Sequence, residues 1–494
     1  MSEQSMLAID LGASNGRVVY GRLSQGVIDW TEIHRFSNDP VSVNGTLLWD
    51  VLRLFYEIKT GLQKCLDKGF KYESMGLSSW GNTVGLLDGQ GDLVMTPYHY
   101  RDIHQNQALN SLYHSIPPIS MFGKTWYIPM TIQPTVFLNY LRLFKTDVFQ
   151  MTKTVLMISD LFNYFLTGVR ASEQTMAATS QMVSMDTGNW EPDYMKELGI
   201  RPELFPSIIP NGTVLGRLRD EITRELGLLP APDIIAVSGH DTASASGCVD
   251  TDEKEKSLYL SCGTWSCMGC RVDAPVKNEG LYHSGITNDL GLYGEKHLRF
   301  NHTGLWILQE CRREWKKDGN DYSWEEITRM AEATNPLAAS IDTESEEFFL
   351  TGNMPEKVRE YCRRTGQYVP QTPGEISRII LESLAFRYRF ARDQLSTHAG
   401  YAFREMHMIG GGARNDMLCQ FTANALGIKV IAGPAEATVF GNFIQQAITR
   451  GAVKDIREGR GIIAASEKPT VYVPQNIELW DSKYREALDI HKWQ

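Results

Sequence analysis

The sequence predicts an α/β protein built from two similar halves, and three observations carry that prediction. Each half opens with a strand, a glycine turn and a second strand. Each then alternates helical and strand patterns, a coarse internal duplication. A charged, polar run, DTDEKEK at 250–256, lies between them. It sets the expected boundary, with an N-terminal domain over 1–250 and a C-terminal domain over 251–494.

The elements follow in order. Leu7–Asp10 is a short apolar strand ending in an acid, and residues 11–16 form a small-residue turn. Residues 17–23 alternate as a strand, and 27–36 form another after the turn at Gln25-Gly26. Helical spacing over 51–66 puts Leu52, Phe55, Ile58, Leu62 and Leu66 near one face, with Asp50 as N-cap. Strands are expected at 75–79, 84–87 and 233–238. In the second half, strands at 257–261 and 265–272 flank Cys262-Gly263-Thr264. A long helix is expected from Glu375 to about Thr397. A strand at 406–409, the turn Gly410-Gly411-Gly412, a helix at 415–426 and a strand at 428–431 follow.

Composition narrows the function. The 494 residues are 42% hydrophobic and 22% charged, ordinary globular values. A net charge of -10 excludes a nucleic-acid backbone as the natural partner, since that needs clustered Lys and Arg. ATP is compatible, because nucleotides are held by local loops and a metal. No apolar run of membrane-spanning length occurs, and no basic-then-apolar signal opens the chain, so no membrane partner and a cytoplasmic location are expected. Eight scattered cysteines fit reduced thiols better than a disulfide framework. Cys262, Cys267 and Cys270 lie on a strand–turn–strand without a second pair at zinc spacing.

Three glycine loops suggest phosphate chemistry. In Asp10-Leu11-Gly12-Ala13-Ser14-Asn15-Gly16-Arg17 the small residues let backbone N–H groups approach an anion. Arg17 could add a charged contact, and Asp10 could hold Mg²⁺ directly or through water. A plain polar hairpin would look similar. Gly263-Thr264-Trp265 occupies the matching point of the second half, and three consecutive glycines at 410–412 are costly to order for a mere turn. Gly123-Lys124-Thr125 imitates the end of a P-loop, but the required glycine five residues earlier is Pro118. Two such halves lead us to expect a nucleotide cleft between domains.

Gly239-His240-Asp241-Thr242 follows an apolar strand and precedes a run of small residues. Asp241 fits a helix cap as well as a base that accepts the proton of a sugar hydroxyl.

Together the segments AIDLGASNGRVV, EIHRF, the WG of SSWGN, LLD, YRD, GHDTASA, LSCGTWS, GLWILQ, GGGARN and AGPAEAT-x-x-GN resemble the FGGY family of carbohydrate kinases, in family order from residue 8 to 442. The resemblance implies two actin-like (ribonuclease-H-like) ATPase domains around a central cleft. It makes Ala13, Ser14, Asn15, Gly16 and Arg17 the ATP loop, with Thr264, Asn301, Gln309, Gly411 and Asn415 as further nucleotide contacts. It makes Gly81, His240, Asp241 and Thr242 sugar contacts, with Arg101 and Asp102 nearby, Asp241 the proton acceptor and Asp10 the metal-side acid. Plain readings stand beside these: Asn301 as a helix cap, Gln309 as a solvated helix residue, His240 as a core residue, and Trp80 and Trp265 as packing residues.

The expected activity is transfer of the ATP γ-phosphate, with Mg²⁺, to the 1-hydroxyl of a ketose such as L-rhamnulose, by a monomer or homodimer. Two departures bear on the sugar. The most similar members usually read Val-Asp after Trp-Gly, where this chain has Asn82-Thr83, and after Arg101-Asp102 a usual second Arg is replaced, with His104 nearby. L-Fuculose or another ketose or pentulose is therefore the alternative acceptor. A non-catalytic sugar or ATP sensor on the same fold is the reading from another class.

Overall fold

The computed structural model describes residues 3–249 and 257–493. The charged run at 250–256, expected as the domain boundary, lies outside them. Two compact units emerge. The first takes residues 3–249, 272–298 and 437–467, and the second takes 257–271, 299–436 and 468–493.

The first unit holds a six-stranded sheet of β1 (Gln4–Leu11), β2 (Asn15–Ser24), β3 (Val27–Ser37), β4 (Ser74–Ser79), β5 (Thr213–Arg217) and β6 (Asp233–Ala236), in the order β5-β6-β4-β1-β2-β3. β1 to β3 form an antiparallel meander, and β4 and β6 run parallel to β1. β1 is apolar and buried along most of its length, as a strand covered on both faces must be. The β2–β3 turn puts Gln25 and Gly26 at φ 51° and 80°, the left-handed pair that a two-residue hairpin needs.

The helix Val51–Asp67 starts where expected, with the Asp50 side chain accepting from Arg53 N. Its buried face differs from the expected one. Val51, Leu54, Ile58, Leu62 and Cys65 face inward, while Leu52 is 66% exposed. Two overlapping stripes share Ile58 and Leu62. Gly61 chooses between them, because a Cβ there would lie 2.4 Å from Val18 Cγ2, so only that side lets the helix seat on β2.

The helix Ala437–Thr449 belongs to the first unit despite its late place in the chain. Gln446 Nε2 donates to Leu7 O at 2.8 Å, and Ser74 Oγ donates to Gln446 Oε1 at 2.8 Å. Gly21 and Gly76 leave the room, since a Cβ would come within 2.6 Å of Phe443 and 2.7 Å of Asn442 Oδ1. By contacts this helix therefore groups with β1 and β4, whereas the expected boundaries assign it to the C-terminal domain.

The second unit repeats the plan. Its sheet contains β7 (Ser257–Cys262), β8 (Trp265–Val272), β9 (Lys296–Thr303, of which 299–303 belong here), β10 (Glu405–Ile409), β11 (Lys429–Ala432) and β12 (Thr470–Tyr472), in the order β9-β8-β7-β10-β11-β12. β7 and β8 are antiparallel, and β10 runs parallel to β7. The long helix spans Pro373–Ala399 and opens with a capping box of Thr372 and Glu375.

Candidate active site

In the first unit the loop between β1 and β2 closes tightly, Gly12 N donating to Asn15 O at 2.8 Å. Asn38 ties it from behind, its side chain donating to Gly12 O at 2.8 Å and its N to Ser14 O at 3.0 Å. Gly16 cannot carry a side chain, because a Cβ would meet the Phe36 ring at 2.3 Å. Ser14 and Asn15 stay exposed, and Ala13 is half-buried. Asp10 and Arg17 face each other across the pair of strands. Arg17 Nε and Nη2 both donate to Asp10 Oδ2, at 3.0 and 2.8 Å. Asp10 Oδ1 lies outside that bond.

β6 leads into the turn Ser238-Gly239-His240, and the helix Asp241–Ser246 begins directly after it. His240, not Asp241, is the N-cap residue. The Asp241 carboxylate accepts from Thr242 N at 2.5 Å and from Thr242 Oγ1 at 3.1 Å, and its side chain is 32% exposed. His240 is 8% exposed, with Nε2 3.7 Å from Asp241 Oδ1. The helix Ala437–Thr449 approaches this turn, with Thr438 Oγ1 3.4 Å from Asp241 O.

Other predicted sugar contacts share the first unit. Gly81 abuts Thr179, and the N of Asn82 (φ 62°) donates to Thr179 Oγ1 at 3.3 Å. Thr83 is buried, and its Oγ1 accepts from the Trp80 indole at 3.0 Å. It therefore brings no carboxylate. Arg101 is exposed, its guanidinium 5.7 Å from the Tyr100 ring centre. Burial raises the Tyr100 pKa, Arg101 lowers it and the Asp241 charge raises it again.

Asp102 has a different place from the expected one. It is 2% exposed, Oδ2 accepting from Leu47 N at 2.6 Å and Oδ1 from His104 N and Nδ1, both at 2.9 Å. With one oxygen held by Leu47 and the other by His104, it shapes the wall from within. Trp49 closes that wall from inside, 4.3 Å from Trp80 and 4.1 Å from His99 between ring centres. Burial and the nearby Arg101 push the His99 pKa down to about 4, so its ring is neutral at pH 7.

In the second unit Thr264 Oγ1 donates to Gln309 Oε1 at 3.1 Å, which joins two predicted nucleotide contacts. Gln309 lies on the helix Trp306–Lys317. Leu305 N donates to Gly263 O and Trp306 N to Thr264 O, so the turn caps that helix. Asn301 sits exposed on β9, so it is not a helix cap. Trp265 is 48% exposed, whereas Trp80 is 4% exposed and packs as expected.

The three glycines divide their work. Gly410 has φ 79°, and a Cβ at Gly412 would lie 2.3 Å from Cys262 Sγ. A Cβ at Gly411 would meet no protein atom within 4 Å. Gly411 is the one whose bare backbone faces open space. Asn415 caps the helix Asp416–Leu426, its Oδ1 accepting from Leu418 N at 2.9 Å. The residues that anchor the Asp241 turn (Glu173, Thr175, Ser78 and Gln445) carry no motif and escape sequence reasoning.

Two family models match nearly the whole chain. The N-terminal domain model of the FGGY family of carbohydrate kinases matches residues 5–248, and the C-terminal domain model matches 258–450. The chain belongs to this family. As an FGGY member it is a carbohydrate kinase, a phosphotransferase, and the family implies ATP as phosphoryl donor. It is similar to the rhamnulokinase of Bacteroides thetaiotaomicron, 37% identical over 482 residues that cover 98% of each chain. It is also similar to that of Bacillus subtilis, 34% identical over 95% of this chain and 96% of the other. Solved FGGY-type structures share the fold. The xylulose kinase of Rhodospirillum rubrum has a TM-score of 0.79 at 16% identity, covering 99% of this chain and 98% of that one. Plasmodium falciparum glycerol kinase with ADP has a TM-score of 0.78 at 14% identity, with the same coverage. Among the described residues no helix is long and apolar enough to cross a membrane.

Proposed function

We propose that this carbohydrate kinase phosphorylates the 1-hydroxyl of L-rhamnulose. The observation that carries the substrate is the near full-length similarity to rhamnulokinases, 37% identity over 98% of both chains. In this reading Asp241 takes the proton as the sugar oxygen attacks the γ-phosphorus and ADP leaves. Phosphoryl-transfer transition states are loose, so the carboxylate orients the hydroxyl as much as it deprotonates it. Arg101, Gly81, His240 and Thr242 contact the sugar, against a wall stiffened by Asp102 and Trp49.

Ala13 to Gly16 and the Thr264–Gln309 pair receive the nucleotide in this reading, with Asn301, Gly411 and Asn415 as further contacts. Among the described residues no cluster of three metal-ligating side chains exists. That fits Mg²⁺ all the same, because this ion keeps its waters, binds phosphates and needs only one or two protein carboxylates. Asp10 Oδ1 is the oxygen available for it, and Arg17 would balance the remaining charge. Bound there, the metal would neutralise phosphate charge. The enzyme acts in the cytoplasm, as a monomer or homodimer.

A second reading rests on Asn82 and Thr83. Thr83 is buried and bonded to Trp80, so the Val-Asp carboxylate has no substitute there. A polar site rejects sugars whose hydroxyls it leaves unpaired. L-Fuculose or another ketose is the acceptor on this reading. An ADP-release screen over L-rhamnulose, L-fuculose, L-ribulose, D-xylulose, D-fructose and glycerol separates the two. The highest kcat/KM is expected with L-rhamnulose; preference for L-fuculose would replace the first reading by the second. Asp241→Asn should lower kcat by about 10²–10⁴-fold with ATP affinity kept. Near-normal turnover would remove Asp241 from the mechanism.

A further inference from the structure

Every backbone polar group of the Ser238–His240 turn has a partner. Ser238 N donates to Gln445 Oε1 at 2.7 Å, and Ser238 O accepts from Ser78 Oγ at 2.9 Å. Gly239 O accepts from Ser79 N at 2.7 Å. His240 N donates to Thr175 Oγ1 at 3.4 Å, and His240 O accepts from Ser244 N at 3.0 Å. The remaining group, Gly239 N, donates to Glu173 Oε2 at 2.9 Å. In this set the partner of Gly239 N is a carboxylate, and a charged acceptor makes a stronger bond than a neutral one.

Glu173 is 0% exposed. Its carboxylate accepts four hydrogen bonds: Thr175 N at 3.0 Å, Thr175 Oγ1 at 2.6 Å, Met176 N at 3.1 Å and Gly239 N. Thr175 Oγ1 also lies 2.9 Å from Ser238 Oγ. One carboxylate thus clamps the start of the helix Gln174–Ala178 to the turn two residues before Asp241. A second buried acid, Asp160, accepts from Glu173 N at 3.2 Å. Burial and the neighbouring Glu173 raise the Asp160 pKa well above its usual range, and burial raises the Glu173 pKa too, opposed there by the hydrogen bonds that Thr175, Gly239 and Met176 donate.

We propose that Glu173 is a positioning residue for phosphoryl transfer, a buried four-fold acceptor that holds the Gly239 amide and thereby sets where the Asp241 carboxylate stands. Burying a charge to cap a five-residue helix alone would be costly. Placing a base through a rigid turn gives this buried carboxylate a use beyond the helix start. The inference rests on Asp241 as the base, so the test separates the two.

Glu173→Gln keeps the volume but can turn an NH₂ toward a ring of donors, and Thr175→Val removes the hydroxyl that bridges Glu173 to the turn. Three measurements apply to both in the full chain: kcat and KM with ATP and L-rhamnulose, thermal midpoint, and hydrogen–deuterium exchange of the segment containing Gly239. Expected for Glu173→Gln is a loss of about 10²-fold in kcat with KM for ATP unchanged. Faster exchange at Gly239 should accompany it. Thr175→Val should show the same pattern more weakly, and it stands in if Glu173→Gln does not fold. Wild-type kcat in the folded variants, or a loss shared equally by kcat and ATP binding with exchange unchanged, overturns the role. Asp241→Asn is measured beside them. If it alone turned over normally, the base reading would fall, while the exchange result would still decide whether Glu173 holds the turn.

Discussion

A methyl group on Gly239 would stand 2.4 Å from Ser159 Oγ and 3.2 Å from Met176 Cβ. Gly239→Ala should therefore destabilise by about 1–3 kcal/mol and shift the neighbouring Asp241. Thermal unfolding and an ATP titration check this: a lower midpoint and a lower kcat are expected, with nucleotide affinity intact. Gly411 and Gly412 give a sharper contrast. Gly412→Ala drives a Cβ into Cys262 and should lower stability, whereas Gly411→Ala should leave stability alone and raise KM for ATP. Equal effects on ATP would dissolve the division of labour between them. At this scale Asp241 and the glycines were legible because short motifs hold them. Glu173 and Gln445 were not, since they reach the turn from 66 and 207 positions away and buried polar residues leave no periodic mark.

The helix Val51–Asp67 shows what periodicity can and cannot decide. Its span and its Asp50 cap were readable, but two stripes competed for the inside. Leu54→Ala should cost about 2–5 kcal/mol and Leu52→Ala almost nothing, by denaturant midpoints. The reverse would restore the expected face. Gly123-Lys124-Thr125 carries the same lesson. It ends the helix Pro118–Thr125, whereas a P-loop lysine must precede one, where N–H groups point outward. The short strands either side of the first two glycine turns were found within a few residues, because apolar runs bounded by small residues have few other uses.

For the molecule as a whole, buried histidines set an acid limit. Burial pushes the pKa of His99 and of His491 down to about 4, and that of His302 well below its usual range. Unfolded, each would take up a proton near 6.5. Between 6.5 and about 4 the unfolded chain thus binds more protons, and stability falls as pH falls. Glu382 acts in the opposite sense, since burial pushes its pKa up to about 7 and the folded chain holds that proton first. A single variant isolates one contribution. His491→Gln should flatten the stability–pH curve in that window by up to about 1.4 kcal/mol per pH unit. Urea midpoints from pH 7 to 4.5 measure it, and an unchanged slope would mean that the ring titrates normally.

By itself the sequence determined the duplicated strand–turn–strand plan, the three glycine loops and Asp241 as a candidate base. These depend on local chemistry: apolar alternation, residues without side chains, a carboxylate at a strand end. Only the tertiary structure decided that Ala437–Thr449 packs with the first unit, that Asp102 accepts from Leu47 N, and that Glu173 grips the Gly239 amide. Each of those turns on where a buried polar group finds its partner. Such pairing is set by packing between distant segments, and no stretch of sequence contains it.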